Sequence, residues 1–306
     1  MLSSVQINAH NHWVSVYEPL PNERETLFAK YEVTPDMLEY AIDPFEKSRV
    51  ELDREANITL LIFDVFVPNA NPDDDITAPL GIMITNNNVI TFTNAQTNFV
   101  NGLIAELLPK FPNQNQSIKI MDLVLPLLMK LATAFFPPIR KADSQRKALQ
   151  RGIRRQNNHV SINQFMELET NLVFILTSLQ GNVALLQQLK RLMGSKLTTP
   201  HQELLDDIII EAQQGLEMAQ TTSDVVARIS GAYSKVLDSN LNQTMKFLTV
   251  YSIILAIPPI VSGFYGENVD HLPFASHPFG WQITILITLI FIAISIWIMF
   301  NKRWWK

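Results

Sequence analysis

The chain has 306 residues, with 29 acidic and 24 basic side chains and a formal net charge of −5, too mild an imbalance to point to nucleic acid. It contains no cysteine, which excludes a disulfide framework and any thiolate metal site. Hydrophobic residues make up 47% of it, yet they are unevenly spread: up to about residue 240 the mixture is that of a soluble protein, and from Phe247 onward two long stretches carry almost no charge.

Residues 1–13 show no basic start followed by an apolar run, so no cleavable signal peptide is expected and membrane insertion falls to the C-terminal segments. Short β-branched or aromatic runs at 13–17, 58–67, 80–84 and 89–93, bounded by Pro, Asn or Asp, predict a sheet. Between the first two, 27–31 and 35–41 predict short helices, the second entered through Thr34 with Pro35 in its first turn. An α+β domain over residues 1–100 follows. Strand signals then vanish. The apolar run 120–136 is interrupted by Asp122, Pro126 and Lys130 and predicts a core helix rather than a membrane span.

Residues 145–192 keep helical spacing, and 194–199 supply a turn. Thr199, Pro200 and Gln202 then have the order of an N-cap, a first-turn proline and a capping-box partner. From Leu205 through Ile208, Ala212, Leu216, Ala219, Val226, Tyr233, Leu241 and Leu248 the apolar rhythm continues without proline until Pro258. One helix from 202 to 264, on the order of 90 Å long, is expected, with a break at the polar cluster 221–224 as the alternative. A helix of that length with a one-sided apolar stripe needs partners, either helical hairpins or further copies of the chain. Residues 101–243 are therefore expected to form a helical region that includes the start of this helix.

Residues 247–266 (FLTVYSIILAIPPIVSGFYG) and 281–300 (WQITILITLIFIAISIWIMF) are each long enough to span a bilayer, and together they make residues 244–306 a membrane hairpin. Pro258 and Pro259 bend the first span, which a membrane tolerates where other helices or a water-filled cavity satisfy the freed carbonyls. Trp281 and Trp297 stand where interfacial aromatics belong. The tail Lys302, Arg303, Trp304, Trp305 and Lys306 is basic, Lys246 flanks the first span, and the connecting loop has no Lys or Arg. The positive-inside rule then places both termini in the cytoplasm and the loop outside. That loop carries Tyr265, Gly266, Glu267 and Asn268, followed by Asp270. An asparagine presents a neutral oxygen that can bond the water shell of a hard cation, and repeated around a ring it makes a collar at a pore mouth.

The stretch LNQTMKFLTVYSIILAIPPIVSGFYGEN resembles the CorA magnesium-transporter family, whose first membrane helix ends in Tyr-Gly-Met-Asn ahead of a second helix and a basic tail. Trp13 with Val14, then Asp43, Pro44, Arg49, Val50 and Glu51, resemble the family's opening pattern, and LLDDIIIEAQQGLEMAQ the start of its long helix. The resemblance implies a funnel-shaped homopentameric channel in the cytoplasmic membrane with the first membrane helix of each subunit around the pore. It implies a selectivity role for Asn268, with Tyr265 and Gly266 as its neighbours, and a pore lined by Asn242, Met245, Leu248, Ser252, Ala256, Pro259 and Gly263. It also implies a regulatory Mg²⁺ site between cytoplasmic domains that includes Asp207, beside Asp206; ordinary surface acids are the alternative. Mg²⁺ enters as substrate and regulatory ligand, with no prosthetic group.

Glu267 departs from the family's methionine and sets carboxylates at the outer mouth. The related zinc-transporting branch also varies this position, so a Zn²⁺, Co²⁺ or Ni²⁺ transporter on the same scaffold stays open, as does a membrane-anchored binding or signalling module. Phe274 stands where many relatives carry glutamate, and Asp270 is a partial substitute. His10 and His12 form a His-x-His pair without a third ligand nearby, Asp73, Asp74 and Asp75 suit a solvated loop, and the cations from Arg140 to Arg155 suit an exposed helix face. No Walker loop, nucleophile elbow or zinc-hydrolase motif is present, so catalysis is not expected.

Overall fold

A computed structural model describes residues 1–7, 11–68, 70, 75–108, 119–154, 162–267, 272–274 and 277–301. The chain divides into two compact units, Met1–Ser230 and Gly231–Lys306. Among the described residues the first is built on six strands, β1 (Leu2–Gln6), β2 (His12–Tyr17), β3 (Arg49–Asp53), β4 (Ile58–Phe66), β5 (Thr77–Ile84) and β6 (Asn88–Thr93). They lie in the order β1-β2-β6-β5-β4-β3, every neighbour antiparallel except β2 and β6, which run parallel with Trp13 opposite Val89.

Both faces of this sheet are covered, which is why its central strands read as unbroken apolar runs. Along β4 the side chains alternate between two cores. Leu60 and Ile62 join Val14, Val16 and Ile90 against α1 (Pro21–Tyr31) and α2 (Pro35–Ile42), through Leu27, Tyr31, Met37 and Leu38. Gly81 makes that packing possible, since a Cβ there would stand 2.6 Å from the Ala41 carbonyl oxygen. Leu61, Phe63 and Val65 face the other way, into a core shared with α3 (Phe99–Leu107), α4 (Met121–Thr133), α6 (Ile162–Met193) and the first turns of α7 (Thr199–Tyr265). Trp13 belongs to this second core and satisfies its indole N–H by donating to Thr91 Oγ1 at 3.0 Å.

By length and composition four stretches of helix among the described residues could cross a membrane, but for two of them, 121–151 and 163–196, half of the apolar window is buried inside the protein. Leu123, Val124, Leu125, Leu127 and Leu128 of α4 are fully enclosed, so the run 120–136 is a core helix. α5 (Phe136–Arg154) follows and carries the basic residues. Lys147 and Arg146 both bond Asp143, at 2.6 and 2.8 Å, and the Lys147 hydrogen bond, joined by Arg146, holds the Asp143 carboxyl below its ordinary range.

α7 is one continuous helix of 67 residues. Its polar cluster does not start a new helix: Thr222 Oγ1 donates back to the Met218 carbonyl at 2.9 Å, and Gln220 bonds Asp224 at 3.1 Å within the same run. The expected capping box is not formed. The helix begins at Thr199 itself, and the Gln202 amide instead donates to the carbonyls of Gly194 and Leu197, satisfying the preceding 3-10 turn. The second unit contains the end of α7 and α8 (Gly280–Asn301), whose apolar windows are only 6% buried.

Candidate ion-conduction site

Within the second unit, exposure sorts the end of α7 into faces. Val250, Ile254, Ile257, Val261 and Tyr265 are half-buried or buried, and on α8 so are Ile283, Thr284, Ile287, Thr288, Ile292, Ser295 and Met299. Two stripes recurring every three or four residues are the pattern of a hairpin whose helices each cover one face. Ser252, Ala256, Pro259 and Gly263 sit two residues out of phase with the α7 stripe. Two residues turn an α-helix by about 200°, so these four occupy the opposite face, and all are exposed. Asn242, Met245 and Leu248 continue the same line toward the first unit and are exposed as well.

The stripe is built from small or apolar side chains. A Cβ added at Gly263 would meet no atom within 4 Å, so the chain's own fold does not require a glycine there. At Gly266 the reverse holds. Its N–H donates to the carbonyls of Ser262 at 2.9 Å and Gly263 at 3.1 Å, closing the helix, and a Cβ would stand 3.2 Å from the same Ser262 oxygen. Gly266 has no positive φ; the close approach of the Ser262 oxygen is what calls for a glycine there. Tyr265, the last helical residue, packs edge-on against Phe264 at 5.9 Å, and the exposed Glu267 follows in the turn. Asn268 and Asp270 lie outside the described residues. Farther along the loop Phe274 holds a φ of 66°, an uncommon choice for an aromatic residue.

The two aspartates at the start of α7 differ. Asp206 is engaged with Lys190 at 2.6 Å, whereas Asp207 is exposed on the outer face of the helix. Among the described residues of one chain, no group of three or more His, Asp or Glu side chains is placed to hold a metal ion. Of the weaker sequence candidates, His12 lies in β2, Asp75 and Arg140 to Arg151 are on the surface or half-buried, and His10, Asp73, Asp74 and Arg155 lie outside the described residues.

Residues 8–303 match the family described as CorA-like Mg2+ transporter protein. The chain belongs to the CorA family. Over 292 residues it is 24% identical to the cobalt/magnesium transport protein CorA of Methanocaldococcus jannaschii, covering 95% of this chain and 90% of that protein. The complete structure of the CorA magnesium transporter from the same organism superposes with a TM-score of 0.78, covering 96% of this chain and 92% of the other at 24% identity. Full-length CmaX gives a TM-score of 0.76 at 17% identity, covering 98% and 91%. The architecture is thus the CorA fold, an N-terminal α/β domain, a long stalk helix and C-terminal transmembrane helices. As a CorA member the protein is a divalent metal ion transporter of the membrane and not an enzyme.

Proposed function

We propose that the protein is a homopentameric channel that admits hydrated Mg²⁺ across the cytoplasmic membrane, with both termini in the cytoplasm. In this reading the 242–263 stripe of α7 lines the pore and Asn268, held by the Tyr265–Gly266 turn, forms the selecting collar. The supporting observation is the placement of Ser252, Ala256, Pro259 and Gly263 on the face opposite the one α7 covers within its own hairpin. That face is left for other copies of the chain and for the space between them.

The exposed apolar residues of α7 support the oligomer. Leu241, Met245, Phe247 and Leu248 are each about 60% exposed, which a transporter of this family would cover with neighbouring α7 helices. Light scattering on detergent-solubilised protein should return five chains. Asp207 is proposed as a regulatory Mg²⁺ ligand shared between subunits, on the family resemblance and on its exposed carboxylate on the outer face of α7.

Co²⁺ is the second reading for the conducted ion, favoured by the name of the Methanocaldococcus jannaschii relative, a cobalt/magnesium transport protein. Purified protein in liposomes loaded with a metal-sensitive dye should admit Mg²⁺ in preference to Co²⁺ and Zn²⁺, and Asn268→Ala should abolish the signal. Absence of any divalent flux would sink the channel reading; a Co²⁺ or Zn²⁺ preference would replace its ion. Glu267 concentrates cations at the mouth, so Glu267→Gln should weaken uptake at low ionic strength and leave it unchanged at high.

A further inference from the structure

The two consecutive prolines of α7 do something to the backbone that neither would do alone. In a helix the carbonyl of residue i accepts from the N–H of residue i+4, or from i+3 where the helix tightens. For Leu255 those two residues are Pro259 and Pro258, and neither has an N–H. α7 is nonetheless helical through both prolines. Ile254 differs, since Ile257 still offers it an i+3 donor. No side chain among the described residues is seen to donate to the Leu255 oxygen, although hydroxyls donate to carbonyls elsewhere in the same helix, Thr249 Oγ1 to Met245 at 2.8 Å and Ser262 Oγ to Pro259 at 3.2 Å.

The direction of this oxygen is fixed by helical geometry. A helical carbonyl points along the axis toward the residue four ahead, so the Leu255 oxygen opens beneath Pro259, on the stripe that also carries Ser252, Ala256 and Gly263. Ser252, Ala256, Pro259 and Gly263 on that stripe are all exposed, and the Pro259 ring, standing against the Leu255 carbonyl, tilts it away from the helix axis. An unsatisfied carbonyl in a membrane-spanning segment is tolerated where it lines a water-filled cavity and not where it meets lipid.

We infer that the Leu255 carbonyls, one from each copy, form a ring of neutral oxygens inside the membrane that receives a hydrated divalent cation on its way past the Asn268 collar. The inference rests on the channel reading above. Mg²⁺ sheds its waters reluctantly, so the oxygens accept hydrogen bonds from the ion's water shell rather than replace it. Five uncharged acceptors hold such an ion loosely, and loose holding is what a conducting site requires.

The experiment is Mg²⁺ uptake by the full chain in dye-loaded liposomes, measured over a concentration series for the unsubstituted protein and for Pro259→Ala, Pro259→Gly and Pro258→Ala. Both changes at 259 restore the N–H that Leu255 lacks and preserve a helical residue. Each should raise the half-saturating Mg²⁺ concentration about fivefold, the effect of losing one ordinary hydrogen bond. Pro258→Ala gives Ile254 its i+4 donor and Leu255 only the i+3 one, so its shift should be clearly smaller than that of either change at 259. Unchanged saturation in both variants at 259 would overturn the ring while leaving the channel intact. An equal shift in Pro258→Ala would also overturn it, because the bend and not the oxygen would then be responsible. No uptake by the unsubstituted protein would overturn the channel reading itself, and the ring with it.

Discussion

Asn182 holds Asp64 by both of its backbone polar groups. Its side-chain oxygen accepts from the Asp64 N–H at 2.9 Å, and its amide nitrogen donates to the Asp64 carbonyl at 2.8 Å. β3 pairs with β4 no farther than Arg49 opposite Ile62, so Asp64 stands where the strand has outrun its neighbour. The carboxamide of a helix residue takes the place of the missing strand. Asn182 is 1% exposed, and removing it leaves two buried backbone groups without partners. Asn182→Ala should cost about 2–4 kcal/mol, read as a lowered melting temperature of the detergent-solubilised protein. Asn182→Asp keeps the acceptor and should also destabilise, because it removes the donor and brings a second carboxylate close to Asp64.

Asp64 itself makes a prediction about pH. Burial pushes its carboxyl above the ordinary range, with the hydroxyls of Ser48 and Ser178 partly opposing. A carboxyl raised in the folded state binds its proton more tightly there than in the unfolded chain. Stability therefore falls as pH rises from the unfolded value through the folded one, and stays lower above it. Asp64→Asn should raise the melting temperature at neutral pH, and its advantage should shrink as the buffer approaches the ordinary aspartate range. An advantage independent of pH would show that the carboxyl is not the cause.

The glycines of the proposed pore should separate fold from flux. At Gly263 a methyl group meets open space in the single chain, so Gly263→Ala should not lower the melting temperature and should raise stability by up to about 1 kcal/mol. It nevertheless narrows the stripe in every copy, so Mg²⁺ uptake should fall. Gly266→Ala crowds the Ser262 carbonyl that closes the helix, and uptake should fall through displacement of the neighbouring Asn268. The Mg²⁺/Co²⁺ ratio distinguishes them: Gly263→Ala should lower both ions alike, and Gly266→Ala should alter the ratio.

Asp206 and Asp207 are neighbours in sequence with different expected roles. Asp206→Asn breaks a solvent-exposed ion pair with Lys190, should cost under about 1 kcal/mol, and should leave the response to cytoplasmic Mg²⁺ unchanged. Asp207→Asn should instead leave stability unchanged and blunt that response. Titrating Mg²⁺ on the side of the large domain while recording flux is the measurement, and equal curves for both variants would remove Asp207 from regulation.

Much of the fold was legible because it follows from periodicity. β4, β5 and β6 are covered on both faces and read as continuous apolar runs; α7 and the stretch 145–192, which holds the end of α5 and nearly all of α6, keep a 3.6-residue rhythm, and α4 reads as a core helix from Asp122, Pro126 and Lys130 within its apolar run. β1 and β3 were not found. They are the two edge strands of the sheet: four of the five residues of β1 are exposed and it bears no apolar alternation, while β3 does alternate, Val50 and Leu52 between Arg49, Glu51 and Asp53, but over only five residues, too short a run to stand out. α7 starts at Thr199, three residues before the expected 202, and the Gln202 amide answers to carbonyls of the preceding turn, a choice that no local pattern encodes.

The candidate pore was legible in a different way. The resemblance named the positions, while the opposite face of the same helix, which packs, is visible only when the hairpin is seen. The orphaned Leu255 carbonyl, in contrast, is written in two adjacent letters, Pro258 and Pro259, and needs only the knowledge that the helix continues through them.

The parallel pairing of β2 with β6 has a bearing on how the protein is made. Trp13 cannot meet Val89, 76 residues farther along the chain, until that stretch has been synthesised. At about 5–20 residues per second the β1–β2 hairpin waits roughly 4–15 s on the ribosome with one side unpaired. During that interval the strand that will become interior is an edge, open to any other nascent chain. The alternating Trp13, Ser15 and Tyr17 on one side and Val14 and Val16 on the other make it a sticky edge, so the step most exposed to misassembly lies early in translation, long before either membrane helix exists.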